Sequence, residues 1–164
     1  MKQSRFVQLL VLSLVISLPA WTQNPHCEKI AGVLMTNINA IALPTAANGT
    51  NLGPVFGDLQ GAVAATIIGQ DSTGYLVQHY WVTATGDTIK FDVAHLKPSA
   101  VTPPPPAAPV PAADLAAVRW GDYIAHIVGG TGKYADARGS LDTFGLADFT
   151  NLTLVLRYRG EVCY

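Results

Sequence analysis

The sequence predicts an all-β protein that folds as a closed antiparallel barrel, and three observations lead to this fold class. No segment has the pattern of a long amphipathic helix; short segments rich in Val, Ile, Thr and aromatic residues instead recur between clusters of Gly, Pro, Asn and Asp. Several of these segments alternate apolar and polar residues, as strands with one buried face do. Two cysteines, Cys27 and Cys163, lie near opposite ends of the chain, and a disulfide between them would make the first and last strands neighbours.

The N-terminus has the organisation of a secretory signal. Lys2 and Arg5 precede an apolar run over residues 6–18, which corresponds to the charged and hydrophobic regions of such a signal. The run is short for a membrane span, although an uncleaved anchor is the alternative. We therefore expect a signal peptide over residues 1–22, a secreted or periplasmic protein, and a single barrel domain over residues 23–164.

Export makes a disulfide between Cys27 and Cys163 the expected state, because oxidising compartments favour paired cysteines. The bond would close nearly the whole mature chain into one loop, which is worth about 4 to 5 kcal/mol in the chain-entropy description. Two unpaired buried thiols are the alternative.

The charge pattern excludes a nucleic-acid binder. Without Lys2 and Arg5, eight basic residues remain against eleven acidic ones, a net charge of −3. There is no basic run and no cluster of Lys and Arg with interleaved aromatic residues. The four histidines are scattered and no carboxylates cluster at ligand spacing, so no metal is expected. No serine-hydrolase elbow is present in the sequence either.

Seven segments are predicted as strands, at about residues 29–43, 55–69, 74–84, 87–96, 116–128, 136–147 and 152–163. The last is the clearest, because its apolar residues fall on one face. That face carries Leu152, Leu154, Leu156, Tyr158 and Val162. The pattern predicts one buried and one wet face. The same alternation before the final Tyr164 also fits the closing strand of a small outer-membrane barrel, which is kept as an alternative.

A Pro-rich stretch interrupts the strands over residues 98–114. It holds seven of the eleven prolines, so it cannot pair in a sheet and favours an extended polyproline II conformation. Neither half of the chain has enough strands for its own core. We therefore interpret the stretch as a stiff loop within one domain, with a Pro-rich ligand for a partner domain as the alternative.

The segment "VRWGDYIAHIV" carries candidate binding residues on one of its two faces. One face consists of Trp120, Asp122, Ile124 and His126, and the other includes Tyr123, Ala125 and Ile127. If the first face lines the interior, Asp122 and His126 are candidates for general acid or base chemistry beside an aromatic wall. If the second face points inward, both are solvated. His79 and Trp81 form a similar, weaker pair with the same two outcomes.

The glycine-rich stretch "IVGGTGKYADARGSLD" does not have the features of a nucleotide-binding loop. A P-loop requires a second glycine followed by Lys and then Ser or Thr, whereas Lys133 is followed by Tyr134. A dinucleotide pattern with a final Ala does match, but it must open a helix in a parallel sheet, and the residues after it have the pattern of strands. No cofactor is therefore expected.

These glycines are interpreted as the turn of a hairpin. Gly130 and Gly132, with the adjacent Gly129 and the later Gly139, supply positions for tight turns, the first two at positive φ. Arg138 in the same stretch is expected to stabilise the turn through hydrogen bonds to carbonyl groups rather than to bind an anion.

The segment "GGTGKYADARG" resembles the signature G-G-T-G-[KR]-[FY]-x-x-A-x-G shared by plant dirigent proteins, allene oxide cyclases and bacterial proteins with the same barrel. The segments "GDLQGAVAATI" and "WVTATGDTIKF" resemble earlier strands of that superfamily, in the same order. The resemblance implies an eight-stranded antiparallel barrel of calycin type with an apolar cavity, commonly assembled as a homotrimer or another homo-oligomer.

The cyclases of this superfamily use a Glu-x-Asn pair on the first strand, and the counterpart here is Asn37 and Asn39. An amide cannot carry a carboxylate charge, so this difference argues against cyclase chemistry. The expected function is binding of a small apolar or aromatic molecule in the barrel, with isomerisation, cyclisation or stereochemical direction as the possible chemistry. A ligand carrier without activity and a structural protein are the alternatives.

Overall fold

A computed structural model describes residues 26–38, 49–101 and 114–164. The expected signal peptide at residues 1–22, Asn39 and residues 102–113 of the Pro-rich loop lie outside the described residues. None of the described residues forms a helix of membrane-spanning length and hydropathy.

Strands make up most of the described chain. They are β1 (Cys27–Asn37), β2 (Thr50–Gly57), β3 (Gly61–Asp71), β4 (Gly74–Thr83), β5 (Thr88–Phe91), β6 (Ala94–Leu96), β7 (Ser99–Ala100), β8 (Leu115–Val118), β9 (Ile124–Gly130), β10 (Arg138–Asp148) and β11 (Thr153–Cys163). A short 3₁₀ turn, Gly132–Tyr134, connects β9 to β10.

Eight of these strands form a closed ring. The order around it is β1, β2, β3, β4, β5, β9, β10 and β11, every pairing is antiparallel, and β11 pairs back onto β1. The shorter strands extend this ring: β6 pairs with β4, β8 with β10, and β7 with β8. The prediction that the Pro-rich stretch at 98–114 does not pair in a sheet is therefore wrong at Ser99 and Ala100, which precede the run of prolines and keep free N–H groups. The predicted fold class, an all-β closed eight-stranded antiparallel barrel, is confirmed.

The disulfide between Cys27 and Cys163 is also confirmed. The two residues are directly opposite each other at one end of the long β1–β11 ladder, with their Cα atoms 4.0 Å apart. The first and last strands of the barrel are therefore neighbours, as the cysteine positions predict.

The apolar face of β11 points into the barrel. Leu154, Leu156, Tyr158 and Val162 are buried, whereas Arg157 lies on the exposed face. This orientation is the reverse of a membrane-spanning barrel, which turns its apolar face outward. Leu152, expected on the same face, lies instead in the turn before β11, with a φ of 52°.

Three predicted strands are interrupted by turns. The segment predicted at 55–69 is the end of β2, a turn, and β3; the turn lies between Gly57 and Gly61, both at positive φ. The segment predicted at 116–128 contains a turn at Gly121, whose φ is 87° and whose N–H donates to Asp142. The segment predicted at 87–96 is β5 and β6. Two of these turns therefore contain glycine at positive φ, and the pattern of apolar residues alone does not reveal them.

The glycine-rich connection between β9 and β10 is a tight turn, and β9 and β10 pair antiparallel. Gly132 has a φ of 52°, and a Cβ there would lie 1.9 Å from the Asp87 carboxylate. Gly129 and Gly139 also have positive φ, but Gly130 does not. Gly130 is needed for space instead, because a Cβ there would lie 2.0 Å from the carbonyl oxygen of Thr88. The expectation of positive φ at Gly130 is therefore wrong.

Candidate functional site

The two ends of the barrel differ, and we call them the closed end and the mouth. At the closed end the Tyr158 hydroxyl bonds the turn between β2 and β3: its oxygen accepts the Leu59 N–H at 3.2 Å, and carbonyl oxygens of Leu59 and Phe56 lie 3.2 and 3.3 Å away. Trp81 packs at 5.4 Å between ring centroids against Tyr158. The void beside Trp81, between Val55, Leu59 and Ile89, has no room for a water molecule.

At the mouth lies an apolar cavity of about 280 Å³, here named the mouth pocket. It is formed where β4 begins, where β10 ends and where the short strands β6, β7 and β8 cover the barrel. Its lining consists of Tyr75, Leu96, Pro98, Ser99, Ala100, Ala116, Val118, Ala147, Phe149 and Leu154. None of these described residues carries a charge. The hydroxyl of Ser99 donates to the Ala117 carbonyl oxygen at 3.3 Å, so even this polar side chain is satisfied.

Between the two ends, His79 and Tyr123 form a buried pair in the barrel interior. The Tyr123 hydroxyl and His79 Nε2 share a short hydrogen bond, and the His79 ring makes edge contacts with Tyr123 and Phe91. Burial lowers the pKa of His79 to about 4 and raises the pKa of Tyr123 above its usual value. Both side chains are therefore neutral near pH 7, and the pair offers hydrogen bonds rather than charge.

Three buried polar atoms of the described interior have no hydrogen-bond partner: Thr36 Oγ1, His79 Nδ1 and Trp81 Nε1. Unpaired buried polar atoms are rare in folded proteins and each carries a desolvation cost. In contrast, the buried Thr143 hydroxyl donates to the Tyr123 carbonyl oxygen at 3.1 Å. The interior thus combines satisfied and unsatisfied polar groups.

The structure brings two of the candidate residues inside the barrel. His79 and Trp81 are 5% and 3% exposed. Asn37 lies on the outer side of β1, where its Oδ1 accepts the Leu52 N–H at 3.1 Å, because Thr36 and Ile38 occupy the inward positions. Asn39 is outside the described residues.

The other three candidates do not lie in the interior. Trp120 is 38% exposed in the turn after β8, beneath the Arg159 guanidinium at 3.9 Å from its ring centroid. Asp122 is half-buried in the same turn, and His126 is exposed on β9. Tyr123, Ala125 and Ile127 point inward, so the structure has the second of the two orientations considered for this segment.

Two interior residues, Thr36 and Tyr123, were not among the sequence-derived binding candidates. Thr36 belongs to the alternating set that includes Ile30, Leu34 and Ile38, so the periodicity of β1 was a usable signal. For Tyr123 the only signal was the alternative orientation of its strand.

A second depression, of about 580 Å³, lies on the outer surface over β1, β10 and β11. It is open to solvent, and its side chains include both signs of charge, among them Lys29, Asp142, Arg159 and Glu161. Arg138, at the start of β10, donates to the carbonyl oxygens of Val128 at 2.8 Å and Ala137 at 2.7 Å, contacts that stabilise the glycine turn.

Comparison with known proteins supports the fold and leaves the function open. No family model matches the chain, and no curated protein matches it. Among solved structures, the pterocarpan synthase dirigent protein GePTS1 matches with a TM-score of 0.55 and 16% sequence identity, covering 93% of this chain and 99% of that chain. The chain therefore has the barrel fold of a dirigent protein.

Proposed function

We propose that this protein is exported and binds a small apolar or aromatic molecule in the mouth pocket. The observation that carries the proposal is a cavity of about 280 Å³ at one end of the barrel, whose described lining residues carry no charge. Concave, mainly apolar cavities with few polar groups are the usual sites for small molecules. The disulfide supports export, because such bonds persist in oxidising compartments.

In this proposal the protein holds and orients the ligand and does not transfer protons to or from it. The buried pair His79 and Tyr123 stays neutral, and no carboxylate is buried among the described residues. A stereo-directing role, which the resemblance to dirigent proteins implies, depends on such an oriented ligand. An isomerase or cyclase that depends on a buried acid or base is less well supported.

Binding is tested with the neutral fluorescent probe N-phenyl-1-naphthylamine and the mature protein in detergent-free buffer. Saturable 1:1 binding is expected. Ala147→Trp, which fills the pocket, should weaken binding at least about tenfold, since a bulky side chain in a closely packed site excludes the ligand. Ile124→Trp is the matched control, because Ile124 is exposed on β9 and belongs neither to the pocket lining nor to the surface discussed below. Native mass spectrometry of protein from its own host would then identify a retained ligand.

Failure of the wild-type protein to bind the probe saturably would overturn the proposal. Equal affinities of the wild-type protein and Ala147→Trp would also overturn it, because the probe would then bind elsewhere.

We further propose that the barrel forms a homo-oligomer through its outer surface. Met35, Val155 and Leu146 are exposed and stand side by side on β1, β11 and β10. Contiguous exposed apolar residues of this kind mark interaction surfaces. Sedimentation equilibrium should give a multiple of the mature mass, and Val155→Lys should lower it; a monomeric wild-type protein would contradict the proposal.

A further inference from the structure

The outward-facing side chains of β2, β3 and β4 form a surface without charge. The three strands lie side by side in the ring, and their only Lys, Arg, Asp or Glu residue is Asp71, the last residue of β3. The strand registers place outward side chains in cross-strand rows. Two of these rows are Pro54, Ala62 and Val82, and Leu52, Ala64 and Tyr80. We call the outer side of these three strands the uncharged face.

Several large apolar side chains of the uncharged face are exposed to solvent. Leu52 is 57% exposed, Tyr80 53% and Val82 46%. Phe56, near the closed end of β2, and Ile68, toward the mouth on β3, are 52% and 50% exposed. Contiguous exposed apolar residues of this kind mark surfaces that bind another protein or a membrane.

The strands that close the ring carry charge where the uncharged face has none. β10 and β11 have three charged residues each, which are Arg138, Asp142 and Asp148 on β10, and Arg157, Arg159 and Glu161 on β11. A single lysine, Lys90 of β5, borders the uncharged face opposite Tyr80, whereas attraction to nucleic acid or to anionic lipid requires a cluster of basic residues. The uncharged face therefore fits a partner that presents no net charge.

The shape of the uncharged face distinguishes between neutral partners. The ring is closed, and β2, β3 and β4 are three of its eight strands, so their outer side is convex. A second folded domain with a convex surface, including another copy of this barrel, would contact only a narrow strip of this face. A lipid surface is deformable, and apolar side chains enter about 5–10 Å into the boundary between its headgroups and acyl chains. Lipid therefore covers all three strands at once.

One end of the uncharged face reaches the mouth of the barrel. Leu76, which is exposed on β4, directly follows Tyr75, which lines the mouth pocket. An apolar ligand concentrates in lipid, because the transfer of apolar surface out of water is favourable. Lipid on this face would thus place a source of the ligand beside the pocket. This argument alone rests on the proposed function.

We propose that the uncharged face binds the surface of a neutral, zwitterionic lipid bilayer, with Leu52, Tyr80 and Val82 entering the boundary between headgroups and acyl chains. The barrel lies on the bilayer and does not cross it, because the outer sides of β10 and β11 carry charge.

Flotation with vesicles of palmitoyl-oleoyl phosphatidylcholine tests the inference on the mature protein in detergent-free buffer. The protein should float with these neutral vesicles. Raising the salt concentration should not release it, because salt screens interactions between charges. Adding phosphatidylglycerol to the vesicles should not strengthen the binding.

Two substitutions assign the binding to the uncharged face. Val82→Glu and Leu52→Glu should each weaken partitioning into the vesicles at least about tenfold, because an apolar contact is lost and a charge would have to be buried. Val128→Glu is the matched control. Val128 is 46% exposed, as Val82 is, but it lies on β9, so this variant should bind like the wild-type protein. Circular dichroism verifies that each variant is folded.

The absence of flotation with phosphatidylcholine would overturn the inference, as would equal losses for Val82→Glu and Val128→Glu. Binding that requires phosphatidylglycerol and is lost at high salt would overturn it too, because a basic surface would then be responsible.

Sedimentation without vesicles tests a second copy as the occupant of the uncharged face. An oligomer that Val82→Glu dissociates and Val128→Glu does not would make this face a contact between proteins and would also overturn the inference. Binding of N-phenyl-1-naphthylamine is measured separately, without vesicles, so failure of the lipid inference is distinguishable from failure of the proposed function.

Discussion

The closed end and the mouth of this barrel are built from the same strands but differ in how their interior is arranged. The closed end is cross-linked by the disulfide and by the Tyr158 hydroxyl, which bonds a turn about a hundred residues away in sequence. The mouth has an apolar cavity and, near it, the unpaired Thr36 hydroxyl. The difference indicates that stability is concentrated at one end, which leaves the other end free to bind.

The largest expected effect is at the disulfide. Replacing Cys27 and Cys163 together by Ser should lower the free energy of unfolding by about 5 kcal/mol, because the bond closes a loop with a sequence separation of 136 residues. Urea unfolding measures the change. The β1–β11 ladder persists in the folded variant, so probe binding at the mouth should be unchanged at low urea. Loss of binding in a variant that remains folded would show that the two ends are not independent.

The second-largest effect is a loss of stability on acidification, caused by His79. The native state keeps His79 neutral down to pH about 4, whereas the unfolded chain takes up a proton below about 6.5. The unfolded state then binds more protons, so stability falls as the pH drops from 6.5 to 4. The full loss is on the order of 3 kcal/mol, at about 1.4 kcal/mol for each unit of pKa.

Comparison with His79→Gln by urea unfolding at several pH values isolates this effect. Exposed carboxyl groups with lowered pKa values, such as Asp71, bonded by the Thr73 N–H, and Asp148, bonded by the Asn151 side chain, lose their native contacts on acidification in both proteins. The variant should therefore show a shallower decline. Parallel curves for the two proteins would mean that His79 is not buried as a neutral ring.

Tyr158→Phe should destabilise the closed end by about 2 kcal/mol. It removes the acceptor of the buried Leu59 N–H and a donor to the nearby carbonyl oxygens, and an unpaired buried donor costs about 1 to 3 kcal/mol. Thermal unfolding measures the change. Tyr80→Phe, an exposed tyrosine on β4, is the control and should have almost no effect.

The smallest expected effect is a change in stability that has opposite signs for Thr→Val substitutions at two buried threonines. Thr36→Val removes an unpaired hydroxyl and should stabilise the free protein by up to about 1 kcal/mol, whereas Thr143→Val removes a bonded one and should destabilise it by about 1 kcal/mol. Denaturant titrations of both variants check the pair. If both changes destabilise equally, Thr36 has a partner after all and the contrast between the two ends weakens.

The fold was predictable from the sequence because its signals are local and strong. The alternation in β11 defines the inward face without any knowledge of its neighbours, and two cysteines at distant positions define which strands meet. The outward-turned barrel, kept as an alternative, shares this alternation and is distinguished only by the direction in which the apolar face points.

The candidate site was less predictable. Alternation along a strand separates its residues into two faces, but it does not show which face points into the barrel. In the segment at 116–128, Val118 and Ala125 both point inward although they are seven residues apart. An unbroken strand would place them on opposite faces, and the turn at Gly121 reverses the pattern between them. No property of Tyr123 alone reveals that it meets His79, since that contact depends on the strands between them in the ring.

The pairing of β11 with both β1 and β10 has a consequence for how the molecule is made. The ring closes only when β11 meets β1, and the paired residues Cys27 and Cys163 are 136 positions apart in sequence. Contacts this distant in sequence form slowly, because a long loop must be ordered before they contribute. Slow closure of the ring suits the proposed export through a translocation channel, and oxidation of Cys27 and Cys163 covalently links the two strands that close it.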